Sequence, residues 1–274
     1  MRRLSIFVVA AVLAMPAVAS EEVQIPYDGG TLKAVLFRPD GQGPFPAVVG
    51  LHGCAGPNDS SGSFSPIYRA WGERLAAAGY AVVFPDSYGS RGAGPQCRVR
   101  ERTIRARVER VGDANAARRW LQEQPWVKQD RVSLMGWSQG GSATLYAVQP
   151  RAVTQDRRLD FRSAIAFYPG CRLPGERAWS ARIPILILIG KADDWTPASA
   201  CETMVAGARG RSARVEIVTY PGAYHRFDHP NLPLRERTGL AFTPDDSGKA
   251  HVGSDTAARQ DSIVRVTAWL ARLN

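Results

Sequence analysis

Five residues, Gly136-Trp137-Ser138-Gln139-Gly140, pose the chemical question. They follow a short apolar stretch containing Val132, Leu134 and Met135, and the two together read as a strand that turns sharply into a helix. A serine at the apex of such a turn exposes its hydroxyl, and the turn tolerates only very small neighbours. Gly136 and Gly140 meet that demand, and Gly141 adds room. A serine hydroxyl becomes a useful nucleophile when a base takes its proton, an acid orients the base, and N–H groups receive the developing negative charge. Chance can produce G-x-S-x-G, so its meaning depends on whether the chain supplies those partners in order.

Two acids follow the apolar run Ile183–Ile189, in Lys191-Ala192-Asp193-Asp194-Trp195-Thr196-Pro197. Asp193 is the expected orienting acid, three residues past the strand-ending Gly190, while Asp194 is expected to cap the helix beginning near Pro197 or to bond loop amides. The expected base is His225, after a final strand that ends at Tyr220. Of the other histidines, His52 sits in a His-Gly pair suited to a structural or oxyanion-loop role, and His229 and His251 fall in an irregular stretch. Two backbone N–H groups are expected to form the oxyanion hole, from Gln139 and Cys54. Cys54 as the nucleophile is the weighed alternative, but it lacks the strand-to-helix context.

The rest of the chain must position these groups. Glu22–Tyr27 and Leu32–Arg38 flank Asp28-Gly29-Gly30 as an opening hairpin. Phe45–Leu51 and Tyr80–Pro85 are apolar throughout, as strands buried on both faces are. Pro66–Ala78 has helical spacing and ends at Gly79, and Ile104–Gln124 reads as a helix with Arg and Glu outward and Val108, Val111, Ala114, Ala117 and Leu121 inward. The strand before the serine leads into a helix reaching about Val148. Strands over Ser163–Tyr168, Ile183–Ile189 and Val215–Tyr220 follow, with a helix over Pro197–Ala208 between the last two. Asp228–Gly253 reads as irregular, and Thr256–Leu273 as an amphipathic helix capped by Ser254 or Asp255. Alternating strands and helices predict an α/β fold, a mostly parallel sheet of seven or eight strands with helices on both faces. Ligands of such sheets bind at the carboxyl ends of the strands, where the serine, both acids, His225 and the His52–Gly56 loop all fall.

The N-terminal segment has a basic start (Arg2, Arg3), an apolar run over Ile6–Met15 and Ala17-Val18-Ala19 as a cleavage signal. Residues 1–19 are therefore expected to direct export to the periplasm or beyond and to be removed, leaving residues 20–274 as one domain with no membrane span. The formal charge is +10. Much of the excess is arginine between Arg91 and Arg119; it reads as a solvated basic face, with attraction to anionic substrates or to an anionic envelope surface as the alternative. Aromatic interleaving, zinc spacing and a helix-turn-helix pattern are all missing, which argues against nucleic acid as a partner. The four cysteines, Cys54, Cys97, Cys171 and Cys201, contain no C-x-x-C, so a metal or redox site is not expected; export makes two disulfides plausible, and spacing alone does not choose among three pairings. Oligomeric state is not legible.

Taken together, LHGCAG (51–56), FPDSYGSRG (84–92), GWSQGG (136–141), FYPGC (167–171), IGKADDWTP (189–197) and YPGAYHRFD (220–228) resemble the dienelactone hydrolase family of α/β-hydrolases over essentially the whole mature chain. The resemblance implies a hydrolase sheet without a large cap domain, acting on small-molecule esters or lactones with no cofactor and no metal. The chain departs from the founding lactone hydrolases in two ways. Ser138 stands where they have Cys, and of the arginines that hold their substrate's carboxylate, one is met a residue out of step by Arg91 and the other is replaced by His229. Loop placement suggests Tyr88, Arg91, Trp137, Trp195 and Tyr224 as pocket residues. It also suggests Cys171–Cys201 and Cys54–Cys97 as disulfides. The expected activity is that of a serine hydrolase using Ser138, His225 and Asp193. The alternatives are a peptidase or amidase of prolyl-oligopeptidase type, and a binding protein without activity.

Overall fold

The computed structural model describes residues 19–150, 160–172 and 178–273. The expected export segment lies outside these residues except for Ala19. An eight-stranded sheet runs in the order β1 (Ser20–Tyr27), β2 (Gly30–Phe37), β4 (Ala81–Pro85), β3 (Phe45–Leu51), β5 (Val127–Trp137), β6 (Ala164–Phe167), β7 (Ile185–Gly190) and β8 (Val215–Tyr220). β1 and β2 form an antiparallel hairpin that joins β4 antiparallel, and all pairings from β4 to β8 are parallel. Every residue of β4 and β7 is buried, as their uninterrupted apolar sequences require when helices cover both faces.

Five α-helices are described, α1 (Pro66–Ala77), α2 (Glu109–Gln122), α3 (Gln139–Ala147), α4 (Ala198–Gly207) and α5 (Thr256–Leu273), with a short 3-10 turn at Gly89–Arg91. α1 packs on β2 and β4, α2 and α3 on β5, and α5 on β7. Asp255 caps α5, its Oδ1 accepting the Ala258 N–H at 2.8 Å.

Helix α2 departs from the sequence-based expectation in two ways. It begins at Glu109, five residues later than its periodicity suggested, because the Glu109 carboxylate reaches back to the Arg105 backbone N–H (2.7 Å) and guanidinium (2.6 Å) and stabilises a turn there. Its inward face also carries charge. Arg110 and Asp113 are fully buried, whereas Val108 is exposed. Asp113 is compensated by Arg91, at 2.7 and 3.1 Å. The stretch expected to be irregular contains a small antiparallel pair, β9 (Arg235–Arg237) with β10 (Ala250–Val252). Among the described residues no helix is long and apolar enough to cross a membrane.

Candidate active site

β5 ends at Trp137, and Ser138 follows with φ 54°, in the left-handed region that a serine enters only when its surroundings enforce it. Its N–H donates to the Phe167 carbonyl on β6 (2.9 Å), and α3 starts at the next residue. The neighbouring glycines are required by close approach: a Cβ on Gly136 would run into the Gly140 carbonyl, and one on Gly140 into the Leu51 carbonyl of β3. This crossing of three backbones turns the Ser138 hydroxyl outward from the carboxyl edge of the sheet.

His225 Nε2 lies 3.0 Å from Ser138 Oγ, and its Nδ1 lies 2.7 Å from Asp193 Oδ2. Both His225 and Asp193 are buried. Asp193 is fixed by its own loop, Oδ1 accepting the N–H groups of Trp195 (3.0 Å) and Thr196 (2.8 Å). The Thr196 hydroxyl stands 3.0 Å from Asp193 Oδ2 and 3.1 Å from the Tyr168 carbonyl, able to donate to either. The imidazole is held between the rings of Tyr168 and Trp195, with centroids 4.5 and 4.8 Å away. The three expected side chains thus come together in one hydrogen-bonded line.

Asp194, expected to cap α4 or bond loop amides, serves a second histidine. It accepts the His251 backbone N–H (2.8 Å) and ring Nδ1 (2.7 Å), tying β10 to the loop after β7, and α4 has no side-chain cap. His52 is a brace for the loop after β3. Its Nδ1 donates to the Gly53 carbonyl (2.8 Å) and its Nε2 accepts the Ser87 N–H (3.1 Å), a pattern that requires the neutral ring. Burial, aided by the nearby Arg110 charge, pushes its pKa well below the ordinary histidine value. Burial acts likewise on His229, with Arg226, Arg259 and Arg235 adding to it, and lowers its pKa to about 4.

Both rings are therefore neutral in the fold, while an unfolded chain takes up protons on them near pH 6.5. Stability from these two histidines is complete above pH 6.5 and is lost as pH falls toward 4. Melting temperatures across pH 7 to 4 should decline, and a His229→Gln variant should decline less steeply than the parent.

The pocket expectations are mostly corrected. Tyr88 is buried with its ring against His52 (4.7 Å), and Arg91 is committed to Asp113 and to the face of Tyr27 (4.5 Å). Trp137 is buried, stacked on Phe167, and donates to Asp228 Oδ2 (2.8 Å); Tyr224 lies against His251 (5.3 Å). Trp195 alone of the five lines the cavity beside Ser138. Proximity in sequence to the motifs misled here, because these side chains serve the loops' packing and not their open face.

That cavity, of about 650 Å³, contains Ser138, Gln139 and Cys54. The arginine-rich stretch, expected to be a solvated face, contributes Arg100, Arg102, Arg105 and Arg107 to its wall. Both disulfides adjoin it. Cys54 is bonded to Cys97 and Cys171 to Cys201, so none of the four thiols is free. Among the described residues no three His, Cys, Asp or Glu side chains come together in a way that could hold a metal ion.

The sequence reasoning missed Asp228. Fully buried, it accepts from Trp71 Nε1 and Trp137 Nε1 (2.8 Å each) and from Tyr168 OH (2.7 Å), binding the loop after His225 to the strand before Ser138. Its only sequence signal was proximity to His225.

A profile of the dienelactone hydrolase family matches residues 32–274. The chain belongs to the dienelactone hydrolase family. Members of this family are hydrolases of ester or lactone type. A Yersinia pestis protein bearing the provisional name carboxymethylenebutenolidase is 27% identical over 230 residues, covering 77% of this chain and 80% of that protein. Among solved structures, a dienelactone hydrolase from Anabaena variabilis superposes with a TM-score of 0.66 at 18% identity, over 93% of this chain and 98% of the other. A dipeptidyl peptidase 4 from Porphyromonas gingivalis reaches 0.63 at 19% identity over 93% of this chain, but only 35% of the peptidase. The last two likenesses speak to the α/β-hydrolase fold.

Proposed function

We propose that this chain is an exported serine hydrolase that cleaves carboxylic esters or lactones through an acyl-enzyme on Ser138. The observation that carries the reading is the Ser138 Oγ to His225 Nε2 distance of 3.0 Å at a turn held in the left-handed region. His225 Nε2 takes the hydroxyl proton as Oγ bonds to the carbonyl carbon. The N–H groups of Cys54 and Gln139 donate hydrogen bonds to the resulting oxyanion, the latter at the positive end of α3. Collapse breaks the bond to the alcohol oxygen, which receives the proton from His225. A water then repeats the sequence on the acyl-enzyme and restores Ser138. Asp193 keeps the Nδ1 proton in place and stabilises the imidazolium.

Two disulfides support an oxidising destination, in keeping with the expected export segment, and we read residues 20–274 as one catalytic domain. A peptidase reading draws on the fold likeness to dipeptidyl peptidase 4, of which this chain spans about a third. A panel of p-nitrophenyl esters set against aminoacyl p-nitroanilides tests the choice. Esters and lactones should turn over and the anilides should not. Anilide turnover exceeding that of the esters would overturn the ester reading.

A further inference from the structure

Five arginines line the cavity that contains Ser138, four of them from residues 100–107 and the fifth, Arg172, from the loop after β6; the one acidic residue lining it is Asp246. Arg105 is neutralised by Glu109, whose carboxyl this contact holds down to about 2. Arg100, Arg102 and Arg172 form no ion pair among the described residues.

Arg102 is the most highly organised of these. Its Nε donates to the carbonyls of Gln96 (3.1 Å) and Val99 (3.0 Å), and its guanidinium lies over the Phe242 ring at 4.6 Å. That anchoring leaves both terminal nitrogens without a protein partner among the described residues. The group is partly desolvated, enough to lower its pKa, and no carboxylate compensates it. The segment it stands on is joined to the expected oxyanion donor, for Gln96 N–H donates to the Cys54 carbonyl (2.7 Å) and Cys97 is bonded to Cys54.

A wall of like charges in an apolar-lined concavity concentrates oppositely charged solutes, and guanidinium forks match carboxylates in geometry. A single carboxylate would answer one of the three guanidiniums that are unpaired among the described residues. We propose that this cavity selects esters of multiply anionic compounds, polycarboxylates in chemical class, with Arg102 as the principal anchor and Arg100 and Arg172 completing the charge match. This rests on the hydrolase reading of Ser138, and it deepens that reading by naming the substrate class. Arg91, at the position nearest to the family's carboxylate-holding arginine, is committed to Asp113 and takes no part.

The test compares methyl benzoate, monomethyl isophthalate and monomethyl trimesate, which present none, one and two free carboxylates on one rigid ring. kcat/KM should rise by about tenfold or more from the first to the last. The gain should shrink in about 0.5 M NaCl, where screening is short-ranged. Arg102→Gln should lower the ratio of trimesate-ester to benzoate-ester kcat/KM at least about tenfold, a charge-assisted contact being worth that much. A flat or inverted series in the wild type would overturn the proposal while leaving the hydrolase standing. Should no ester be turned over, calorimetric titration of Ser138→Ala with trimesate decides independently. Salt-sensitive binding that Arg102→Gln abolishes supports the anion site, and no binding overturns it.

Discussion

Replacing Ser138 with Ala is expected to cut kcat toward esters by about 10⁴-fold or more and to leave the melting temperature nearly unchanged. The size of the loss follows from the mechanism, since without Oγ no acyl-enzyme forms and only binding and the oxyanion donors remain. Stability should be spared because among the described residues the hydroxyl has one hydrogen-bond partner, His225 Nε2, whose position is set by Asp193, Tyr168 and Trp195. The backbone at position 138 stays in the same left-handed conformation, held by the Phe167 carbonyl and the flanking glycines. Steady-state kinetics paired with thermal melts would check both halves. A variant that melted far lower would assign the loss to the fold and not to the nucleophile.

Cys54→Ser/Cys97→Ser should produce the largest stability loss of any exchange near the site, and lower activity as well. The bond closes a loop of 43 residues. Removing that constraint from the unfolded chain costs about 4 kcal/mol by loop-closure entropy, or roughly 10 °C in melting temperature for a domain of this size. The functional cost follows from placement, since Cys54 lines the cavity beside Ser138 as the proposed oxyanion donor and Cys97 precedes the segment bearing the cavity arginines. Loosening their link removes orientation from an N–H that must meet a developing charge. Calorimetry and ester kinetics at a temperature where the variant remains folded would separate the two effects. Unchanged melting would show that the Gln96–Cys54 backbone bond alone holds the loop.

The framework was legible in the chain because its strands are buried on both faces. Phe45–Leu51, inside the sheet, has the bounds that its sequence suggested; Val215–Tyr220 has them too, although it is a half-buried edge strand, and Thr256–Leu273 has both its periodicity and its Asp255 cap. The three residues of the hydrogen-bonded line were legible for a related reason. Each follows the end of a parallel strand, so the topology brings them to one edge.

What escaped the sequence depends on contacts far apart in the chain. The aromatic residues beside the motifs were natural candidates for the pocket, yet Trp137 is claimed by Asp228, 91 residues later, and Tyr88 by His52. Arg110 reads as outward-facing until one knows that Ser87 and Gln139 face it across the core. The cavity wall combines Arg102 with Phe242, whose pairing no local pattern announces.

The central claim is that Ser138 is the nucleophile. It is tested most directly by treating the native protein with a fluorophosphonate and mapping the adduct by mass spectrometry. The account predicts one adduct per chain, on Ser138, and none in Ser138→Ala. An adduct on another residue, or a native protein that the probe leaves unmodified while it turns over esters, would contradict it.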